Sequence, residues 1–152
     1  MRWLQIVALT LLIALGAACA AGDAADEPAV MNPSFDDWCK SELCGWQTNE
    51  GAVVPVSTWH KKDLGASFVE TPTQVSQSVT AAPVGCFLID TIADVETAAR
   101  LSIRVDFNDD QVIDFEQQVP AVSWQSVPFP VRAPVDYRSV RFIVRKQGTG
   151  GG

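Results

Sequence analysis

Apolar and polar residues alternate with a period of two along much of the chain. The clearest case is residues 101–107, where every odd position is apolar and every even position is polar. Residues 140–145 repeat the pattern, with Val140, Phe142 and Val144 on one face. Because side chains of a β-strand point alternately to the two faces of its sheet, this period predicts strands with one buried face.

Other stretches with β-branched and aromatic residues predict further strands, separated by turns that contain Pro, Gly, Asn and Asp. They cover residues 51–60, 66–69, 73–80, 85–92, 113–116 and 122–131. Residues 113–116 are expected to pair with residues 101–107 across the polar turn 108–111. No convincing helical stretch is present. About eight or nine short antiparallel strands without a helix predict an all-β fold, a β-sandwich.

The first twenty residues follow a different pattern. Arg2 precedes an apolar stretch at residues 3–15, and small residues fill positions 16–20. This layout is typical of an export signal, and its apolar part is shorter than the ~20 residues that span a bilayer. We predict a signal peptide at residues 1–19 and a flexible acidic tether at 20–30. The sandwich domain then covers residues 31–147, and a flexible glycine-rich tail covers 148–152.

Cys19 stands where the signals of bacterial lipoproteins place the cysteine that takes the lipid. The match is imperfect, because the usual signal has Leu three positions before the cysteine and Leu15 lies four positions before it. Ordinary cleavage after Ala18 or Ala20 is the alternative, since small residues flank both bonds. Lipidation is the favoured hypothesis. It predicts an outer-membrane or cell-surface protein that meets the membrane only through its lipid anchor; without the lipid, the protein would be periplasmic or secreted.

Charge and cysteines narrow the choice of partner and compartment. The chain has 18 Asp and Glu against 11 Lys and Arg, a net charge of −7. An acidic surface repels nucleic acid, which is not an expected partner. Cys39 and Cys44 bracket a short loop and are predicted to form a local disulfide. Cys86 is predicted to be an inert core thiol. The alternative is a zinc site with His60, which is not favoured because it would lack the usual close cysteine pairs.

Residues 32–38, Asn-Pro-Ser-Phe-Asp-Asp-Trp, resemble the N-x-x-F-E opening of jelly-roll carbohydrate-binding modules, which belong to the galactose-binding-like sandwiches. Residues 65–68, 75–79 and 124–131, which lead into 140–144, follow in the order of that family. The resemblance implies a jelly-roll β-sandwich with a glycan ligand. It also implies a structural calcium ion held partly by Asp36 or Asp37. The family's acidic residue near the last strand is replaced here by Arg145-Lys146-Gln147, a departure from the calcium pattern.

Aromatic side chains are the first candidates for a sugar site, because a sugar ring packs on a flat apolar face with a polar rim. Trp59, His60 and Lys61 stand in a polar stretch that suits an exposed loop. These three residues and Trp124 are the predicted ligand-binding residues. Two other tryptophans, Trp38 and Trp46, flank the predicted disulfide loop and are assigned to the core.

Residues 106–114 place Asp and Asn at positions 1, 3, 5 and 9 of a calcium-binding loop. Gln111 and Gln117 occupy the positions that require Gly and Glu, so a polar hairpin turn is the favoured interpretation.

Catalysis has little support, because the chain has a single histidine and no Gly-x-Ser-x-Gly motif. We therefore predict a monomeric, exported envelope protein that is not an enzyme and that binds a glycan. The alternative is a structural or protein-interaction lipoprotein that binds an envelope protein and has no sugar ligand.

Overall fold

The computed structural model describes residues 30–32, 34–57, 64–80 and 86–148. Within these ranges the chain forms strands and no helix, and so contains no helix able to cross a membrane. The strands are β1 (Trp38–Cys39), β2 (Glu42–Leu43), β3 (Gln47–Glu50), β4 (Val53–Ser57), β5 (Leu64–Phe68), β6 (Thr73–Thr80), β7 (Cys86–Val95), β8 (Ala99–Phe107), β9 (Phe115–Gln118), β10 (Val122–Arg132) and β11 (Ser139–Gly148). Every pairing between them is antiparallel, which confirms the predicted all-β fold.

One layer of the sandwich is a five-stranded sheet with the order β3-β6-β11-β8-β9. The predicted alternation on β8 is confirmed: Leu101, Ile103, Val105 and Phe107 are 6%, 4%, 0% and 3% exposed. β9 pairs with β8 across the polar turn, as the sequence predicts, although the strand covers Phe115–Gln118 instead of residues 113–116. Phe115 lies opposite Val105. The inward face of this sheet therefore forms half of the core.

The other layer consists of two separate two-stranded ladders, β4–β5 and β7–β10. Phe129 and Val131 of β10 point inward and pack in the two buried clusters that also contain the β8 side chains. Within the described residues, the two ladders share no backbone hydrogen bonds. This split layer leaves a gap, and the candidate site lies there.

The segment before β1 is held by amide side chains. The Asn32 side chain donates to the carbonyl oxygens of Asp37 (2.7 Å) and Cys44 (3.0 Å), and it accepts from the Asp37 N–H (3.1 Å). The buried Gln77 of β6 accepts from the Met31 N–H (2.6 Å) and donates to the Met31 carbonyl oxygen (3.1 Å). These contacts fasten the opening of the domain to the five-stranded sheet.

The predicted disulfide between Cys39 and Cys44 is present, with the two Cα atoms 5.2 Å apart. The prediction for Cys86 is wrong, because this residue is also disulfide-bonded. Cys86 begins β7 and is half-buried, so it does not contribute a free thiol to the core.

The hairpin interpretation of residues 106–114 agrees with the structure. The buried Asp106 carboxylate accepts from the N–H groups of Asp110 (3.1 Å) and Gln111 (3.0 Å). The Asp114 carboxylate accepts from the Phe107 N–H at 2.7 Å, and the Asn108 side chain accepts from the Arg138 N–H at 3.0 Å. The polar side chains of this turn therefore bind backbone N–H groups of the protein itself.

Candidate functional site

A cavity of about 830 Å³ lies in the gap between the β4–β5 hairpin and the β7–β10 ladder. Its floor is the inward face of the five-stranded sheet, which contributes the alternating positions Leu101 and Ile103 of β8. Val144 of β11, paired with Ile103, extends this floor. Because these side chains are apolar, the base of the cavity favours an apolar surface of a ligand.

The two side walls are strand edges rather than strand faces. All five residues of β5 line the cavity, and so do residues 89–94 of β7 without interruption. β5 and β7 each pair on one side only within the described residues, so each has a free edge. The cavity lies between these two strands.

Trp124 lines this cavity and is half-buried. It lies in an irregular part of β10, where the pairing with β7 shifts register between Val122 and Gln125. Its φ angle is +44°, a left-handed conformation that a residue with a side chain rarely adopts. A β-bulge of this kind changes the direction of a side chain, and here it accompanies a tryptophan at the cavity.

Trp38 and Trp46, which the sequence assigns to the core, are both half-buried, and Trp46 packs against the buried cluster that contains Val105 and Tyr137. Trp46 lines the cavity and stacks on Phe35, with ring centroids 4.8 Å apart and planes at 29°. Its indole N–H donates to the Asn32 carbonyl oxygen at 3.1 Å. Trp38 donates to the Phe35 carbonyl oxygen at 3.1 Å and does not line the cavity. The cavity thus has aromatic residues from β10 and from the opening segment.

Acidic residues are among the residues that line the cavity, namely Asp36, Asp90, Asp94 and Glu96, whereas no lysine or arginine is among the described lining residues. Asp90 and Asp94 share the exposed face of β7 with Ile92, opposite the buried Ala93 and Val95. On that exposed face Asp90 accepts a 2.6 Å hydrogen bond from the Ser126 hydroxyl group. The cavity therefore combines an apolar floor with aromatic rings.

The predicted ligand-binding residues Trp59, His60 and Lys61 lie outside the described residues, as does Cys19. The six residues 58–63 connect Ser57 to Leu64, which face each other as a pair in the β4–β5 ladder. Leu64 and the nearby Val56 line the cavity. The predicted loop therefore begins and ends next to the cavity that contains Trp124.

The calcium site that the family resemblance implies stays a prediction. Asp36 and Asp37 are exposed, and no group of three or more His, Cys, Asp or Glu side chains in the described ranges is placed to hold a metal ion. On the last strand, the buried Lys146 ammonium group donates to the Phe68 carbonyl oxygen.

The geometry of the cavity suits binding. Burial raises the pKa of the Asp106 carboxyl group, while its hydrogen bonds from the Asp110 and Gln111 N–H groups act in the opposite direction. Asp106 is not among the residues that line the cavity. The raised pKa therefore belongs to the buried hairpin turn and gives the cavity no candidate acid or base.

Comparisons with known proteins agree with this architecture. TmCBM61, solved in complex with β-1,4-galactotriose, aligns with a TM-score of 0.56 at 16% identity, over 82% of this chain and 91% of that chain. A CBM4 structure aligns with a TM-score of 0.56 at 15% identity, over 81% of this chain and 94% of that chain. The chain has the jelly-roll fold of carbohydrate-binding modules. No protein-family model and no curated protein matches it.

Sequence reasoning found Trp124 but missed Phe35, Trp46, Asp90 and Asp94 as cavity residues. One available signal was the spacing of Asp90 and Asp94, which interrupt an otherwise mainly apolar strand on one face. In the sequence, Phe35 is distinguished only as part of the family motif. Trp46 lines the cavity because of where the opening segment lies. No local sequence pattern specifies that position.

Proposed function

We propose that this domain binds carbohydrate in the cavity between β5 and β7 and does not catalyse a reaction. The observation that carries the proposal is the placement of Trp124 and Trp46 along one cavity with an apolar floor. Sugars have apolar C–H faces, which pack on aromatic rings.

The size and the floor of the cavity support the same function. A volume of about 830 Å³ falls in the range of roughly 300–1,000 Å³ that is typical of small-ligand sites. A sugar face that covers the Leu101 and Ile103 side chains would displace water from apolar surface.

The loop at residues 58–63 supplies the second part of the proposed site. Trp59, His60 and Lys61 belong to this loop, whose two ends are fixed by the Ser57–Leu64 pair. We assign them to the mouth of the cavity because Val56 and Leu64 line it. In this arrangement Trp59 offers a second aromatic surface, and His60 and Lys61 offer hydrogen-bond donors.

The proposed setting is outside the cytoplasm. The Cys39–Cys44 disulfide agrees with an oxidising compartment, and the amino-terminal sequence has the layout of an export signal. Envelope attachment through a lipid on Cys19 is the favoured form of this proposal. A periplasmic or secreted protein is its alternative.

The proposal is tested by binding of the mature protein to a panel of neutral oligosaccharides, followed by tryptophan fluorescence and calorimetry. Replacing Trp124 by Ala should weaken binding on the order of tenfold, equivalent to about 1.4 kcal/mol. The matched control is Trp38→Ala, which removes an indole outside the cavity and should change affinity less than about twofold. No binding to any oligosaccharide, or equal losses in both variants, would contradict the proposal.

A second candidate function is capture of an extended peptide from an envelope protein. The two walls are strand edges, and an extended chain between them could pair with both. One strand residue fills about 160 Å³ of a sandwich layer, so the cavity of about 830 Å³ would hold about five residues. Peptides whose binding is abolished when a proline is inserted would favour this function. Peptides that never compete with oligosaccharides for the protein would exclude it.

A further inference from the structure

We propose that the preferred ligand of this cavity is a sugar that carries an uncharged apolar substituent, an alkyl or acyl chain. This inference rests on the proposed function and names the class of ligand. The sugar ring packs on Trp124, and the chain lies in the gap between β5 and β7. Glycosides with longer alkyl chains should therefore bind more tightly than the methyl glycoside of the same sugar.

The inward face of β7 supplies apolar side chains to the cavity. Side chains alternate between the two faces of a strand. Ala93 lines the cavity and belongs to a buried cluster, and Ile89 packs against that cluster. Thr91 lies between them on the same face, whereas Asp90 and Asp94 lie on the exposed face. β7 therefore presents two apolar side chains and one hydroxyl group to a ligand.

β5 forms the opposite wall, and its apolar face is partly uncovered. Phe68 is 5% exposed, and Leu64 and Ala66 share its strand face by alternation. Leu64 lines the cavity and is 40% exposed, although its face is the inward one. Within the described residues β5 pairs only with β4, so no neighbouring strand covers Leu64 on the side of the gap. A ligand chain that covers Leu64 removes this apolar surface from water.

The floor of the cavity is apolar as well. It consists of Leu101 and Ile103 of β8 and of Phe142 and Val144 of β11. Of the inward-facing residues that β5, β7, β8 and β11 contribute to the described lining, Thr91 alone has a polar side chain. Buried hydroxyl groups without partners are costly, whereas a hydrocarbon chain needs no partners. The interior of the gap therefore favours the chain over a second sugar ring.

The size of the cavity agrees with such a ligand. Its volume of about 830 Å³ lies in the upper part of the roughly 300–1,000 Å³ that small-ligand sites span. A single sugar ring on Trp124 therefore leaves room for a substituent.

The charge of the lining indicates that the substituent is uncharged. No lysine or arginine is among the described lining residues, and Asp36, Asp90 and Asp94 are exposed. A carboxylate or phosphate group in the gap would lose its water shell without gaining a cationic partner. Free fatty acids and phospholipids are therefore not the expected ligands, whereas an alkyl glycoside or a fatty-acyl ester of a sugar is.

The experiment compares the methyl, butyl and hexyl glycosides of glucose and of galactose by calorimetry, below the concentration at which they form micelles. A fully buried methylene group is worth about fourfold in affinity, and we expect at least about twofold for each one here. The hexyl glycoside should therefore bind at least about thirtyfold more tightly than the methyl glycoside. Equal affinities across the series would overturn the inference, as would hexanoate that binds as tightly as the hexyl glycoside.

Two matched pairs of variants locate the chain. Leu64→Ala should reduce the gain from the hexyl chain at least about threefold. Its control is Val54→Ala, at a residue that is also 40% exposed but lies outside the cavity lining, and this variant should leave the gain unchanged.

The second pair fills the gap instead of widening it. Ala66→Leu should remove most of the gain from the hexyl chain, whereas Ala121→Leu, at an exposed position outside the lining, should retain it. Circular dichroism verifies that each variant is folded, and the Leu64 pair decides alone if Ala66→Leu does not fold. Equal effects within either pair of folded variants would overturn the inference.

The same series separates this inference from the proposed function. If the methyl and hexyl glycosides bind equally and both depend on Trp124, only this inference fails. If hexanol binds as tightly as the hexyl glycoside, the sugar ring contributes nothing, and both fail. If no glycoside and no oligosaccharide binds, both fail as well.

Discussion

The hydroxyl group of Ser126 donates a 2.6 Å hydrogen bond to the carboxylate of Asp90, across the β7–β10 ladder. Asp90 pairs with Pro128 in this ladder and Ser126 pairs with Ile92, so the bonded side chains are diagonal neighbours on one sheet face. Both side chains are exposed, and they lie on the opposite face of the ladder from Ala93 and Phe129, which pack in the core.

We expect Ser126→Ala to leave oligosaccharide binding within about twofold of the wild type, because the hydrogen bond that it removes lies on the exposed face of the ladder. For the same reason the free energy of unfolding should change by less than about 0.5 kcal/mol. Calorimetric titration and urea denaturation measure the two quantities. Ser123→Ala, on the same strand and outside the cavity lining, is the control. A loss of threefold or more in Ser126→Ala alone would show that the exposed face takes part in binding.

Gln77 connects the opening segment to the five-stranded sheet. Its side chain bonds the N–H and carbonyl groups of Met31 and the carbonyl oxygen of Gly45. Replacing Gln77 by Leu leaves these backbone groups without their partner in a nearly buried place, at a cost of about 2–3 kcal/mol. We expect this loss in urea denaturation, together with weaker near-ultraviolet dichroism from Trp46, which lies in the same opening segment.

The control for this prediction is Gln74→Leu, three residues earlier on the same strand. Gln74 is half-buried on β6, so both variants exchange the same amide for the same apolar group. The control should lose less than about 1 kcal/mol. Comparable losses in the two variants would mean that the strand, rather than the contact with Met31, is sensitive to the substitution.

The strands that alternate clearly could be predicted from sequence, and β6 occupies the predicted residues Thr73–Thr80. β3 could not be predicted in this way, because Gln47–Glu50 contains four polar, exposed residues. It forms through backbone pairing with β6, which has no signature in hydrophobic periodicity. Local pattern therefore identified the strands that bury side chains and missed a strand that does not.

The candidate site was predicted less completely than the fold. Trp124 was identified because aromatic residues are uncommon and suited to sugars. The cavity itself arises from the gap between two ladders of one layer, and the relative placement of ladders is a tertiary property that no local pattern specifies.

The pKa of Asp106 should make stability depend on pH. Burial raises it above its ordinary value of 3.8, so the folded chain binds this proton more tightly than the unfolded chain does. The contribution to folding is fully present below the unfolded pKa and is lost as the pH rises through the folded pKa. We expect the unfolding free energy of the wild type, relative to Asp106→Asn, to fall as the pH rises above the ordinary pKa of 3.8. Urea denaturation at several pH values measures this difference, and a rise with increasing pH would contradict it.

The disulfide state of Cys86 bears on how the protein is attached to the envelope. Cys86 is disulfide-bonded, and Cys39 and Cys44 are bonded to each other. The remaining cysteine of the sequence is Cys19, which lies outside the described residues. A sulfur atom that carries the thioether of a lipid anchor cannot also form a disulfide. The favoured lipidation of Cys19 and a bond between Cys19 and Cys86 therefore exclude each other.

We expect iodoacetamide to leave Cys86 unlabelled in the denatured, unreduced protein and to label it after reduction. Peptide mapping without reduction then identifies the partner of Cys86. A crosslinked peptide that contains Cys19 would rule out the lipid anchor and leave a periplasmic or secreted protein. A diacylglyceryl mass on Cys19 would establish the anchor, and the disulfide of Cys86 would then have to join two chains. Cys86→Ser is the matched control, since it abolishes either crosslink while the Cys39–Cys44 pair remains. Labelling of Cys86 before reduction would contradict the disulfide itself.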